Sequence, residues 1–437
     1  VETEEAENTV QDETPEVALS QSSVFLESEL AFQLIEKITI TTVLSQSQAK
    51  ESNDALSRIR QIFDKYLDLP SLMDKHIGRI VGLLTKAAQE IMASDLMDQF
   101  WDSCLPRILS ALYALSKVRG RKRVQKFLPH TVDDVEVVFE ALRKLDALHK
   151  NQSQSADMTE GPQLWESIHT LWNWVGILSL VPFKSSIIVE EKQISDLIAL
   201  GKTHLSEPGP IREMAASCLA SWLARPEFEE TDLVSFIEWS CEILIDISSN
   251  RRNIFLTMGC LQTLVSIIKT SKANRETLIS LMQPLWNAIS KLSESNPSNL
   301  LLRKNLIKWW TRLGCAHLPP RVASWRYQRG RRSLKDNLLQ TKSEKGDDAA
   351  AAENPSSTSD SQDDFFSVPD EVEEAMGHVI GGLTDPSTIV RWSAAKGVGR
   401  IAERLPKLCG EDVVDALLQL LDDVEKDNDW HGACLAF

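Results

Sequence analysis

Apolar residues recur at helical spacing along most of this chain. From residue 23 to about 340 they form helix-length stripes separated by short Pro, Asn, Gly and Ser punctuation, and no stretch alternates as a strand would. The pattern predicts an all-α fold. Beyond a break at 341–368, the stripe Val372, Met376, Val379, Ile380 and Leu383 returns 41 residues later as Val413, Leu417, Leu420, Leu421 and Val424. The next helix repeats at an offset of 40, where Val390, Arg391 and Ala394 correspond to Trp430, His431 and Cys434.

A period near 40 with two amphipathic helices per unit predicts a HEAT/armadillo-type helical-repeat solenoid. The second-helix pattern also occurs upstream: Ile211, Arg212, Ala215, Ala216 and Leu219 fall on Val390, Arg391, Ala394, Ala395 and Val398 without a gap. Small residues at the Ala pair let neighbouring helices approach closely. HEAT repeats place an Asp in the turn and an Arg in the second helix, so the resemblance gives Asp385 and Arg391 a structural role tying one repeat to the next. The tryptophans, 12 against three tyrosines, sit in apolar helical surroundings at Trp165, Trp172, Trp174, Trp309 and Trp310 and are expected in the core. The last repeat leaves Trp430, Cys434, Leu435 and Phe437 without a neighbour. Further repeats are expected to cover them.

Charge subdivides the chain. Residues 1–16 hold seven acids and no base, and residues 343–364 hold seven acids against Lys345 alone, so these segments carry most of the net charge of −16. The expected organisation is a disordered acidic tail (1–22), a helical-repeat solenoid (23–340), an acidic low-complexity linker (341–368) and HEAT repeats (369–437). No uncharged run is long enough to span a membrane and no basic–apolar leader opens the chain. Seven scattered cysteines, with no CxxC pair, read as reduced thiols of a cytosolic protein.

Two basic clusters stand out from the nearly neutral body. The first comprises Lys117, Arg119, Arg121, Lys122, Arg123 and Lys126; the second comprises Arg321, Trp325, Arg326, Tyr327, Arg329, Arg331, Arg332 and Lys335. Both are candidate protein-binding segments, because arginines grip carboxylates through charge-assisted hydrogen bonds. The alternative is a solvated face or a partner for the acidic linker. Nucleic acid is disfavoured, since isolated basic runs are weak evidence for it.

Catalytic signatures are missing from the sequence. The segment Gly397, Val398, Gly399, Arg400, Ile401, Ala402 fits GxGxxA but lies within a predicted helix with no preceding strand, so its glycines are expected to permit close helix contact. No GxxxxGK[ST], HExxH, GxSxG or EF-hand loop occurs. The histidines at 76, 130, 149 and 431 read as packing or helix-end residues. A noncatalytic, cofactor-free and metal-free binding protein is expected.

Seven blocks then occur in order: KVRG (117–120), LPH (128–130), DVE (134–136), LVPF (180–183), WRYQRG (325–330), VRWSAAKGVGR (390–400) and WHGACLA (430–436). In these the chain resembles the tubulin-folding cofactor D family, whose members are longer. The resemblance implies a cytoplasmic chaperone with microtubule or centrosome association. Such a chaperone captures β-tubulin after the chaperonin step and joins it to α-tubulin with tubulin-folding cofactors E and C. An Arf-like small GTPase is a further implied partner, and GTPase activation belongs to the assembled complex. No arginine of this chain can be carried over as a catalytic finger. The competing architecture is a karyopherin-like transport solenoid that binds cargo and a small GTPase.

Overall fold

The structure is a computed structural model and describes residues 24–94, 99, 103–152, 162–245, 254–271, 275–319, 368–422 and 426–437. The acidic tail, the linker up to residue 367 and the second basic cluster lie outside the described residues. Among those described, the regular elements are all helices and helical turns. None is long and apolar enough to cross a membrane.

The described helices fall into two compact units, residues 1–222 and 223–437. In the first, α1 (Ser28–Ile38), α3 (Asp74–Met92), α5 (Asp133–Gln152) and α7 (Glu191–His204) alternate along the chain with α2 (Gln46–Asp64), α4 (Leu105–Arg119), α6 (Leu164–Leu178) and α8 (Pro210–Leu223). Helix α1 pairs with α2, α3 with α4 and α5 with α6. The α2, α4 and α6 helices also pack on one another as one layer, with α1, α3 and α5 forming the other.

Local chemistry sets many of these boundaries. Ser45 caps α2 and Gln48 closes the capping box. Pro106 opens α4, where its missing N–H costs nothing. At Gly120 a positive φ of 89° turns the chain out of α4 into the short helix Arg121–Val124, a backbone region that residues with a Cβ enter at a cost.

The core is built on the apolar stripes. Trp172, Trp174 and Trp222 are fully buried. The Trp172 indole N–H donates to His204 Nδ1 (2.7 Å), and His204 Nε2 lies 3.0 Å from Asp146 Oδ1, so one polar chain laces α6 to α7 and α5. Trp174 donates to the Pro129 carbonyl (2.7 Å) and Trp222 to that of Val175 (3.0 Å). Trp165 is only half-buried and meets Tyr113 edge-on at 4.9 Å.

The same region holds a histidine kept neutral. His169 stands edge-on to Tyr113, and its buried Nδ1 has no hydrogen-bond partner among the described residues. Burial, with the Arg121 charge nearby, lowers its pKa from 6.5 to about 4. The unfolded chain thus binds a proton that the folded one refuses. Stability at this site is retained above pH 6.5 and is lost as pH falls from 6.5 towards about 4, by roughly 2–3 kcal/mol. In urea titrations across that window, His169→Leu is expected to flatten the pH slope. An unchanged slope would refute this assignment.

The second unit repeats the plan with α9 (Asp232–Ile245), α10 (Ile254–Thr270), the Pro284-broken helix α11 (Arg275–Met282) and α12 (Trp286–Glu294), then α13 (Leu300–His317), α14 (Asp370–Gly381), α15 (Thr388–Ala402), α16 (Lys407–Asp422) and α17 (Asp427–Ala436). Helices α10, α13, α15 and α17 stack in one layer. Asn299 caps α13 by accepting from the Leu301 and Leu302 amides, both at 3.0 Å. Trp309 and Trp310 are buried here, Trp310 donating to Ser293 Oγ (2.9 Å).

The boundary between units falls at Trp222, inside the stretch read from sequence as one solenoid. Helices α13 and α14, which flank the 341–368 segment, pack within a single unit. The reason is local. The α13 stripe has its complement on α14 and α15, where Gly314 lies close to Ala375 and Ile401.

Candidate protein-binding surface

The first predicted basic cluster is largely neutralised within the protein. The turn at Gly120 brings Arg119 and Arg123 back over Asp74 at the start of α3. Arg119 contacts the Asp74 carboxylate through Nε (2.5 Å) and Nη2 (2.7 Å), and Arg123 adds a third contact at 3.1 Å. The Arg119 hydrogen bonds hold the Asp74 carboxyl below its ordinary pKa. Lys117 reaches Asp64 at 3.1 Å. Arg121 turns inward, its Nη1 3.0 Å from Met214 Sδ, and burial pulls its pKa down. Lys122 is left exposed. Only part of this segment therefore faces a partner as free positive charge.

Asp385 and Arg391 lie at repeat joints, though not as a carboxylate–guanidinium pair. Arg391 donates through Nη1 to the Asp385 carbonyl (2.6 Å) and to Asn428 Oδ1 (2.8 Å), through Nε to His431 Nδ1 (3.1 Å), and through Nη2 to Thr388 Oγ1 (3.0 Å). Its guanidinium thus bonds the turn before its own helix and the helix of the next pair. The Asp385 carboxylate is taken instead by Arg303 of α13, through Nε at 2.7 Å and Nη2 at 3.2 Å.

That geometry exposes a recurring device. Arg107, Arg212, Arg303 and Arg391 all stand in the first turn of an even-layer helix or its counterpart, and each sends Nη1 back to a carbonyl of the preceding turn: Ser103, Glu207, Pro297 and Asp385. Arg107 also bonds Asn53 of the neighbouring α2 through Nε at 2.8 Å. Reading upstream from the Val390–Arg391 pattern finds Arg212. Arg107 and Arg303 lack the following Ala–Ala pair, so only the structure joins them to the set.

A different basic surface, absent from the sequence reading, lies between α13 and α15. It is an open groove of about 400 Å³. Lys304, Lys308 and Arg312 line it from α13, and Lys396 and Arg400 from α15, with no Asp or Glu among its lining residues. Ile389 and Trp392 stand on its α15 side, 48% and 49% exposed. Lys396 Nζ sits 5.3 Å from the centre of the Trp392 ring. Arg312 is largely buried, donating to the Val265 carbonyl, and burial together with the like charge of Arg400 lowers its pKa. Trp325, Arg326, Arg329, Arg331 and Arg332 lie outside the described residues.

Two families match the chain. One, described as "Tubulin-specific chaperone D-like, ARM repeat", covers residues 63–244, and the other, "Tubulin-specific chaperone D-like, ARM repeats", covers residues 301–437. The chain is 24% identical to a tubulin-specific chaperone D of Dictyostelium discoideum, over 90% of its own length and 33% of the relative's. It is 25% identical to a tubulin-folding cofactor D of Schizosaccharomyces pombe, over 92% of its own length and 34% of the relative's. It thus spans about a third of the length of these curated relatives.

Proposed function

The chain belongs to the tubulin-specific chaperone D-like family of armadillo-repeat proteins, and from that premise we propose that it is part of a tubulin-folding chaperone that binds β-tubulin after the chaperonin step. The observation that carries this reading is the pair of family matches, one falling chiefly in each unit. Stacked helix pairs locked by arginine joints support it physically, because a solenoid presents an extended, preorganised surface to a large client. In this role the whole protein works with tubulin-folding cofactors E and C and an Arf-like small GTPase. The assembled complex, rather than this chain's own residues, stimulates GTP hydrolysis. Its place is the cytoplasm, with microtubules or centrosomes as the associated structures.

The test is capture. The immobilised 437-residue chain is offered β-tubulin released from chaperonin, α-tubulin, an importin-type cargo and a single-stranded oligonucleotide. Selective retention of β-tubulin is the expected result. Retention of the importin cargo or the oligonucleotide without β-tubulin would replace the reading with a transport or nucleic-acid one.

A further inference from the structure

The α13–α15 groove places like charges at spacings that a helix alone would disfavour. Lys304, Lys308 and Arg312 follow one another at i, i+4 and i+8 on α13, and Lys396 and Arg400 at i and i+4 on α15. Like charges four residues apart on a helix repel. A merely solvated face usually intersperses the two signs. Here both helices turn their same-sign stripes to one groove, and Lys304, Lys396 and Arg400 have no carboxylate partner among the described residues.

The apolar component is equally specific. Ile389 and Trp392, three residues apart on α15, are about half exposed beside those charges. Trp is enriched among residues that dominate protein interfaces. One indole flanked by cations is a poor fit to single-stranded nucleic acid, which uses successive aromatic platforms for successive bases. It fits a peptide whose carboxylates surround one bulky apolar side chain.

We propose that the α13–α15 groove is a docking site for an acidic peptide segment of a partner protein, with Trp392 and Ile389 receiving its apolar side chain and Lys304, Lys396 and Arg400 its carboxylates. Arg312, fixed by its bond to the Val265 carbonyl, supplies positive potential from the groove wall. This assigns a ligand class and a place in the second unit. It stands whether or not β-tubulin is the client.

The probe is a fluorescein-labelled peptide in which Glu and Asp flank a single Phe, titrated by anisotropy into the 437-residue chain. A Gln/Asn analogue and a single-stranded oligonucleotide run alongside. The acidic peptide is expected to bind the wild-type chain at least about tenfold more tightly than either control, a difference within the scale of a few charge-assisted contacts. Lys396→Glu with Arg400→Glu should weaken it at least about tenfold at low salt, and added salt should narrow that gap as exposed charges are screened. Trp392→Ala should weaken it about threefold to tenfold at both salts, because the apolar contact is not screened.

These side chains are exposed, and unfolding curves matching the wild type establish that each variant is folded. Absence of peptide binding to the wild-type chain would overturn the proposal, as would unchanged affinity in both folded variants. Tighter binding of the oligonucleotide than of the peptide would assign the groove to nucleic acid instead.

Discussion

Replacing Arg391 with alanine is expected to destabilise the second unit by about 2–4 kcal/mol, the range for removing a buried, multiply hydrogen-bonded charged group. Arg391 is 6% exposed and makes four hydrogen bonds, one each to the Asp385 carbonyl, Asn428, His431 and Thr388. Alanine would leave the Asp385 carbonyl and Asn428 amide oxygen without these donors at the joint between successive helix pairs. Arg391→Lys should recover only a minor share, since an ammonium cannot reproduce a planar fork reaching both the turn and α17. Arg400→Ala is the control in the same unit. It is exposed, and a surface change of this kind stays within about 0.5 kcal/mol. Urea unfolding of the three variants checks the order. If Arg400→Ala costs as much as Arg391→Ala, the joint has been misassigned.

The all-helical fold was legible because each apolar stripe is local: the 3.6-residue period is written within one helix and needs no distant partner. The place of Arg391 was legible for a related reason, since the pattern around it recurs at Arg212. Its bonding partners were not. The nearest acid in the sequence, Asp385, offers Arg391 its carbonyl, while its carboxylate belongs to Arg303, 82 residues upstream. That exchange is fixed by how α13 packs on α14 and α15, the helices on either side of the Gly382–Thr384 turn, with Ile307 of α13 close to Gly382.

Charge was harder to read for the same physical reason. The run from Lys117 to Arg123 looks free along the chain, yet Asp64 and Asp74 neutralise Lys117, Arg119 and Arg123 from earlier helices. The α13–α15 groove presents the opposite case. Its lysines and arginines are spread between residues 304 and 400, and along the sequence the two short same-sign stripes stand far apart. Only the pairing of α13 with α15 sums them into one field.

Gly432 is the position where a single methyl group should do most damage. A Cβ added there would lie 2.8 Å from the Leu383 carbonyl carbon and 3.0 Å from its Cβ, with the carbonyl oxygen closer still. Those are backbone contacts of the Gly382–Thr384 turn, so no rotamer change relieves them and α17 must move away from the turn. Gly432→Ala is expected to reach or exceed the upper end of the roughly 1–3 kcal/mol that overpacking costs, with amide exchange accelerating through α16 and α17 first. Gly397→Ala should fall inside that range. Its Cβ would meet Val379 at 2.8 Å and the Thr311 hydroxyl, which is held by a 2.8 Å bond to the Ile307 carbonyl. Gly399, the other glycine of the GxGxxA-like segment, would meet nothing within 4 Å. There alanine should stabilise α15 by about 0.5–1 kcal/mol through helix propensity alone. The expected stability order is therefore Gly399→Ala above wild type, then Gly397→Ala, then Gly432→Ala. A Gly432→Ala chain that melts with the wild type and keeps α17 protected would overturn the close contact between this helix and the turn.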